Sequence, residues 1–529
     1  MSAGASFELD AGVRRRDRGR LLIGGAPPRL IRLSEAGAAA LDAILAGPGA
    51  ATAGAAGTAG TRLARRLERE SVIHPLPGDG ADDPEVTAIV PVLDGGERLT
   101  ELVRVLAAEG PVIVVDDGSR DGSGERAAGA GARVIRHAAA RGPAAARNAG
   151  LAAARTELVA FVDADCVLTP GWRRGLAAML AADPDLALLA PRVRSAPPAP
   201  RVQNAPPAPR VRSAPPAPRV RSAPPAPRVQ NAPPAPRVGS APLGTAIGDG
   251  GRAPAPDAPI GRGGRLAAAL RTAIARYERR ASPLDLGPAS SQVGPGHRVS
   301  YLPAAALLAR RDALLELGGF DESMRFGEDV DLVWRLTARG GKARYVPARE
   351  VLHHPRTTLA ALARQRAGYG SSAPHLRRRH GAAVAPLRPG RHAVAVWTVA
   401  ALRPRLAPVA LAASVALVAS RGRDRPSRLG LAALALRGHR DATRHLARAL
   451  TREWLPLSLA LAAGAPRSRR PPAVALLLGA LAEAAADGTG GPAELLAALP
   501  LRALDHAAYA AGMWREMSAR RELGALLPA

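Results

Sequence analysis

Between about Glu85 and Arg192 the chain alternates between short runs of consecutive apolar residues and longer stretches with helical apolar spacing. "EVTAIVPV", "PVIVVDDGS", "ARVIRH" and "ELVAFVDAD" read as buried strands. "ERLTELVRVLAAE", "GPAAARNAGLAAA" and "GWRRGLAAML" read as the helices between them. Apolar runs without polar alternation suit strands covered on both faces. Strand, helix, strand at this pitch predicts an α/β fold with a parallel, doubly wound sheet.

A second feature interrupts that pattern. From Arg194 to Val238 a nine-residue unit of the type RSAPPAPRV or QNAPPAPRV recurs, and low-complexity sequence continues to about Gly264. Proline fixes φ and offers no amide donor, so the tract predicts an extended, solvated arm and no packed element. A ligand for proline-binding modules or a basic tether is one reading. A neutral expansion in a surface loop is the better one, because loop entropy grows slowly with length.

These shifts predict five segments: a small module at 1–80, half of a sheet domain at 85–192, a disordered insertion at 194–264, the second half at 265–385, and an Ala/Leu-rich helical region at 390–529. In the first, two short strands flank a Gly-Gly turn and a helix begins after Ser34. In the last, apolar runs are short, and Arg403, Arg405 and Pro408 break the best of them. A buried bundle, interfacial helices and kinked spans all stay open there. The Arg-rich flank "RGRDRPSR" would suit an anionic leaflet.

The 529 residues carry a formal net charge of +28, yet Lys342 is the sole lysine. Arginine, alanine, glycine and proline are the signature of GC-rich coding, which explains the charge better than a nucleic-acid partner; no recognition motif for nucleic acid is present. Cys166 is the single cysteine, which excludes a disulfide framework and a CxxC metal site. The start at Met1 has no signal-peptide pattern, so a cytoplasmic setting is expected.

Several residues carry candidate chemistry. Asp116 and Asp117 end one strand, where open α/β sheets bind ligands; each alternatively caps a turn. Asp163 and Asp165, one residue apart after another strand, suit a hard divalent cation. Glu328 and Asp329 open a helix, where acids also serve the dipole; Asp329 is a candidate general base. Asp331 and Arg335 have i,i+4 spacing for a structural pair. His353 or His354 could complete a cation site, although paired loop histidines are commonly just solvated. Arg147, early in a helix, could approach phosphate or base. The Arg-rich stretch beginning at Arg364 could neutralise a diphosphate or form a solvated helix face.

The order of these motifs is more specific than any one of them. IVPV (with Pro91), VDDGS, GPAAARNAG, FVDAD, GGFDESMRFGEDVDLVWRLTARG and YVPAREVLHH resemble, in sequence, the inverting glycosyltransferases of family 2 with the GT-A fold. "SPLDLGPASSQVGPGHRVSYLPAAALLARRDALLELGGFDESM", with the N-terminal "GGAPPRLIRLSEAGAAALDAILAG", narrows the likeness to the glycosyltransferases of the mycofactocin system. The N-terminal segment also resembles small winged-helix modules that hold precursor peptides.

The resemblance implies a nucleotide-diphosphate sugar donor, with UDP-glucose expected, and β-1,4 transfer to a peptide-derived redox cofactor of the mycofactocin type. A cell-envelope polysaccharide or lipid acceptor is the alternative. Pro91, Asp116, Asp117, Arg147, Asp163 and Arg364 are then substrate-binding. Asp116 and Asp117 take the nucleoside and Asp163 the ribose. Asp165, with His353 or His354, binds Mg2+ or Mn2+. Glu328 and Asp329 are catalytic, with Asp329 the base. The enzyme would be cytoplasmic, or peripheral or integral at the inner face of the cell membrane.

Overall fold

The computed structural model describes residues 6–26, 28–47, 58–78, 83–197, 262–467, 470–486 and 491–528. The repeat tract beyond Pro197 lies outside them.

The first strands are β1 (Phe7–Leu9), β2 (Arg14–Arg16), β3 (Leu21–Gly24) and β4 (Arg29–Arg32), followed by α1 (Glu35–Ala46), α2 (Thr58–Arg69) and β5 (Ile73–Pro75). β2, β3 and β4 form an antiparallel sheet, and β1 pairs with β5. The β3–β4 hairpin turns at Gly24 and Gly25 as expected. Ser34 caps α1, its Oγ accepting from the Gly37 amide at 3.1 Å. Strand β2, three arginines of which Arg14 and Arg16 are exposed and Arg15 is half-buried, has no β signature in the sequence. Leu22, Ile31, Leu41, Leu67 and Ile73 close this core.

The sheet domain follows: β6 (Val86–Val92), α3 (Arg98–Ala107), β7 (Val112–Asp116), α4 (Ser123–Gly129), β8 (Arg133–Arg136), α5 (Pro143–Ala153), β9 (Leu158–Val162), β10 (Cys166–Val167), α6 (Leu176–Ala182) and β11 (Leu186–Ser195). After the insertion come α7 (Arg262–Ala281), β12 (Ser291–Gln292), β13 (Ala306–Arg310), α8 (Arg311–Leu317), α9 (Glu328–Ala338) and β14 (Lys342–His353). The strand order is β10-β14-β11-β13-β9-β6-β7-β8, with β12 on β14. β8, β7, β6 and β9 are parallel, as predicted. Both faces are covered: Val90 packs with Leu99 and Val103, while Ile89 packs with Leu151 and Phe161 on the other side.

With the strands of the second half added, the whole sheet is mixed. β13 runs antiparallel to β9 and β11. Ala305, just before β13, accepts from the Asp163 amide just after β9. The chain therefore enters β13 at the edge where β9 ends, and runs back. The first two repeat residues, Arg194 and Ser195, finish β11, and α7 already begins at Arg262, so the folded flanks reach slightly into the predicted insertion.

The rest is helical: α10 (Leu359–His380), α11 (Arg391–Leu402), α12 (Ala407–Ala419), α13 (Arg425–Thr451), α14 (Leu455–Gly464), α15 (Arg470–Ala486) and α16 (Pro492–Arg520). α10 and α16 pack backbone to backbone. A Cβ on Gly370 would strike the Tyr509 carbonyl, and one on Gly512 the Ala367 carbonyl. Among the described residues, no helix is long and apolar enough to cross a membrane.

Candidate active site

Parallel strands β6, β7 and β9 present their carboxyl ends along one edge, and the acids sit there. Asp163 follows β9, and a tight turn (Cys166 amide to Asp163 carbonyl, 3.0 Å) leads through Asp165 into β10. β10 pairs with β14, setting Cys166 opposite His353. That register brings two distant motifs together. Ligand atoms of Asp163, Asp165 and His353 lie within 4.8 Å of one another. His353 Nε2 is 3.0 Å from Asp165 Oδ1, and Arg356 Nη1 is 3.5 Å from Asp165 Oδ2. Burial alone would raise the Asp165 carboxyl, but His353 and Arg356 outweigh it and hold it below the ordinary range. Burial likewise disfavours charge on His353, and the carboxylates of Asp165 and Asp163 overcome it, raising the imidazole.

Glu328 and Asp329 open α9 after Gly327, whose φ of 77° is the left-handed region that favours glycine. Glu328 Oε1 accepts from Arg147 Nη1 at 2.7 Å, and Arg147 Nη2 donates to Asp163 Oδ1 at 2.8 Å. Arg147 is buried and lies over the Phe320 ring. Its burial would lower its pKa; the charges of Asp163 and Glu328 drive it up instead. Asp329 accepts from the amides of Val330 at 2.8 Å and Ala304 at 3.3 Å. Burial, then the charge of Glu328, pushes its carboxyl up to about 7. Tyr301, whose hydroxyl donates to the Pro283 carbonyl at 2.6 Å, is pushed up to about 12 by burial and by Asp329.

The other expected residues are placed as follows. Asp116 is fully enclosed; it accepts from the Ser119 amide at 2.7 Å and pairs with Arg136. Asp117 accepts from His137 Nδ1 at 2.7 Å and from the amides of Arg141 and Gly142, anchoring the start of α5. Pro91 lies in β6 opposite Val115 of β7. His354 reaches Asp165 through its backbone amide, and its ring is not part of the three-residue cluster. Arg364 is exposed, its Nε turned to the Ala360 carbonyl of its own helix. Asp331 and Arg335 form the expected i,i+4 pair at 2.7 Å. Burial would raise Asp331, but His380, Arg379 and Arg335 pull it down to about 2.

A small cleft beside His353 is lined by residues not singled out in the sequence: Arg356, Arg366, Tyr369 and Glu278. Arg366 is buried, bonded to Glu278 and, at 3.0 Å, to Asp505 of α16. Helical phase would have found it. Leu362, Arg366, Gly370 and Ala373 share the buried face of α10, and Arg364 does not. Arg356, alone in a loop, carries no such signal.

The Glycosyl transferase family 2 model matches residues 87–219. Pre-mycofactocin glycosyltransferase of Mycobacterium tuberculosis is 32% identical over 99% of this chain and 97% of its own length. N-acetylglucosaminyl-diphospho-decaprenol L-rhamnosyltransferase of the same organism is 49% identical over 57 residues, which are 11% of this chain and 19% of its own. Among solved structures, a mannosyltransferase from Pyrobaculum calidifontis in complex with GDP-Man and Mn2+ matches 83% of this chain and 90% of its own, at 17% identity and a TM-score of 0.40. The match to the mycobacterial protein, end to end at this identity, decides the matter: the chain belongs to the pre-mycofactocin glycosyltransferase family, within glycosyltransferase family 2.

Proposed function

We propose that this glycosyltransferase moves a hexose, with inversion, from a nucleotide-diphosphate sugar onto a mycofactocin-type acceptor. UDP-glucose is the expected donor and β-1,4 the expected linkage. The observation that carries the reading is the convergence of Asp163, Asp165 and His353 at the carboxyl edge of the sheet, joined through Arg147 to Glu328 beside Asp329. The acceptor rests on the full-length relative, whose name carries pre-mycofactocin. A cell-envelope acceptor has only the 57-residue likeness in its favour.

Two carboxylates and one imidazole within 4.8 Å fit Mg2+ or Mn2+ as a donor set. A divalent ion there would neutralise charge on the departing diphosphate. Arg356 adds positive charge at the same spot, the part expected of Arg364. Asp329 takes the proton of the attacking hydroxyl. One base suffices for a single in-line displacement, and a carboxyl at about 7 is a stronger base than an ordinary aspartate. Arg147 spans Asp163 and Glu328 and so fixes the distance between donor side and base side. Asp116 and Asp117 stand at the nucleoside end. Both are buried and already accept from protein donors, so a nucleobase N–H would share their remaining lone pairs.

Mass spectrometry of a mycofactocin-type acceptor incubated with enzyme, UDP-glucose and Mn2+ should show hexose increments. No increment with any nucleotide sugar would overturn the reading. In calorimetry, Asp165→Ala should lose the metal dependence of UDP binding; an unchanged metal titration would remove Asp165 from the ligand set.

A further inference from the structure

The helices between Arg391 and Ala486 are arranged inside out. A helix on a water-facing bundle turns its apolar stripe to the core. Here α12 buries only Ser414, α14 only Ser458 and α11 only Ala393. The polar groups turn inward and meet: Ser414 Oγ lies 2.9 Å from His439 Nε2, and Arg444 Nε donates to Glu483 at 2.7 Å. The leucines turn outward, with Leu402, Leu461 and Leu476 at 70%, 76% and 66% exposure. Among the described residues, more than half of the large apolar side chains left exposed lie in or beside these helices. Scattered exposed leucines need no explanation, but a concentration of this kind marks an interaction surface.

Charge says which surface it fits. Arg403 and Arg405 stand exposed before α12, and Arg421 and Arg423 stand exposed after it. A second copy of the chain could cover the leucines, but it would bring like-charged rims together, which is costly. An anionic sheet of lipid headgroups satisfies both features. The 13 residues of α12 reach about 20 Å, short of the roughly 30 Å hydrocarbon core. An upright helix would also drag one of its arginine-bearing ends into the acyl region. Lying flat keeps both ends among the phosphates and the apolar middle in the acyl boundary.

We propose that α11, α12, α14 and α15 form a monotopic face that seats the enzyme on an anionic bilayer surface without crossing it. The inference is independent of the sugar chemistry. The test is cosedimentation of the full chain with vesicles of phosphatidylcholine, with and without phosphatidylglycerol. The wild type should pellet with the anionic vesicles, less so at high salt. Leu461→Asp with Leu476→Asp should stay in the supernatant while its turnover of a soluble acceptor is unchanged, which shows that it is folded. Arg403→Gln with Arg405→Gln should lower partitioning on the order of tenfold and flatten the salt dependence. A wild type that stays in the supernatant with both vesicles overturns the proposal. So does binding equal on neutral and anionic vesicles, or a lipid-free dimer in light scattering that the leucine variant breaks.

Discussion

Asp329 is held in two incompatible ways, and the conflict is informative. Two backbone amides stabilise its charged form, while burial and the neighbouring Glu328 charge oppose it and win, leaving the carboxyl at about 7. In the proposed role of base it works only when deprotonated. The transfer rate of the wild type should therefore fall as pH drops through about 7, which a pH series of initial rates on bound donor would check. For stability the sign is opposite. A carboxyl raised in the folded state binds its proton more tightly than in the unfolded chain, so folding loses free energy as pH rises from about 4 to 7. Asp329→Asn should thus abolish transfer, preserve nucleotide binding, and unfold at higher temperature than wild type at pH 8. The gain should be on the order of a few kcal/mol. Wild-type-like turnover by that variant would end the base assignment, and an unshifted unfolding temperature would contradict the raised carboxyl.

At the scale of elements, the join between α10 and α16 fixes the floor of the cleft. Arg366 of α10 reaches Asp505 of α16, and Gly370 and Gly512 let the two backbones touch. Gly512→Ala should destabilise by about 1–3 kcal/mol, because neither carbonyl nor helix can yield to a new methyl. Denaturant unfolding would measure it, and a neutral result would mean that the helices slide apart freely. Strand-level organisation was legible where side chains repeat a period: "EVTAIVPV" and "ELVAFV" could hardly be anything but covered strands. The β3–β4 turn and the Ser34 cap were legible from local chemistry. What escaped was pairing. Nothing in "DADCV" or "VLHH" says that β10 and β14 lie side by side, so the meeting of Asp165 with His353 and not His354 depended on register. Likewise β13 runs antiparallel because its entry point is tied to Ala305 and Asp163, a contact 142 residues apart in sequence.

At the scale of the whole molecule, the strand that precedes the repeat tract ends beside the site. Ser195 pairs with His353 across β11 and β14, and Ser195 Oγ donates to the Glu278 carbonyl of α7 at 3.0 Å. Both flanks of the insertion are thereby tied to the fold. Replacing residues 198–260 by a Gly/Ser linker of about ten residues should leave turnover and unfolding temperature near wild type. A loss of transfer with an intact fold would instead give the tract a part in substrate handling. The order of the sheet adds a consequence for synthesis. β11, made before the tract, finds both neighbours, β13 and β14, only after it. At about 5–20 residues per second the ribosome takes on the order of 3 to 13 s to traverse those residues. For that interval the nascent strand, apolar along most of its length, has two open edges and no mate, which is the condition under which strands of neighbouring polysomal chains find each other. The length of the repeat is therefore felt most by the half-made chain, as a pause to be survived before the sheet can close.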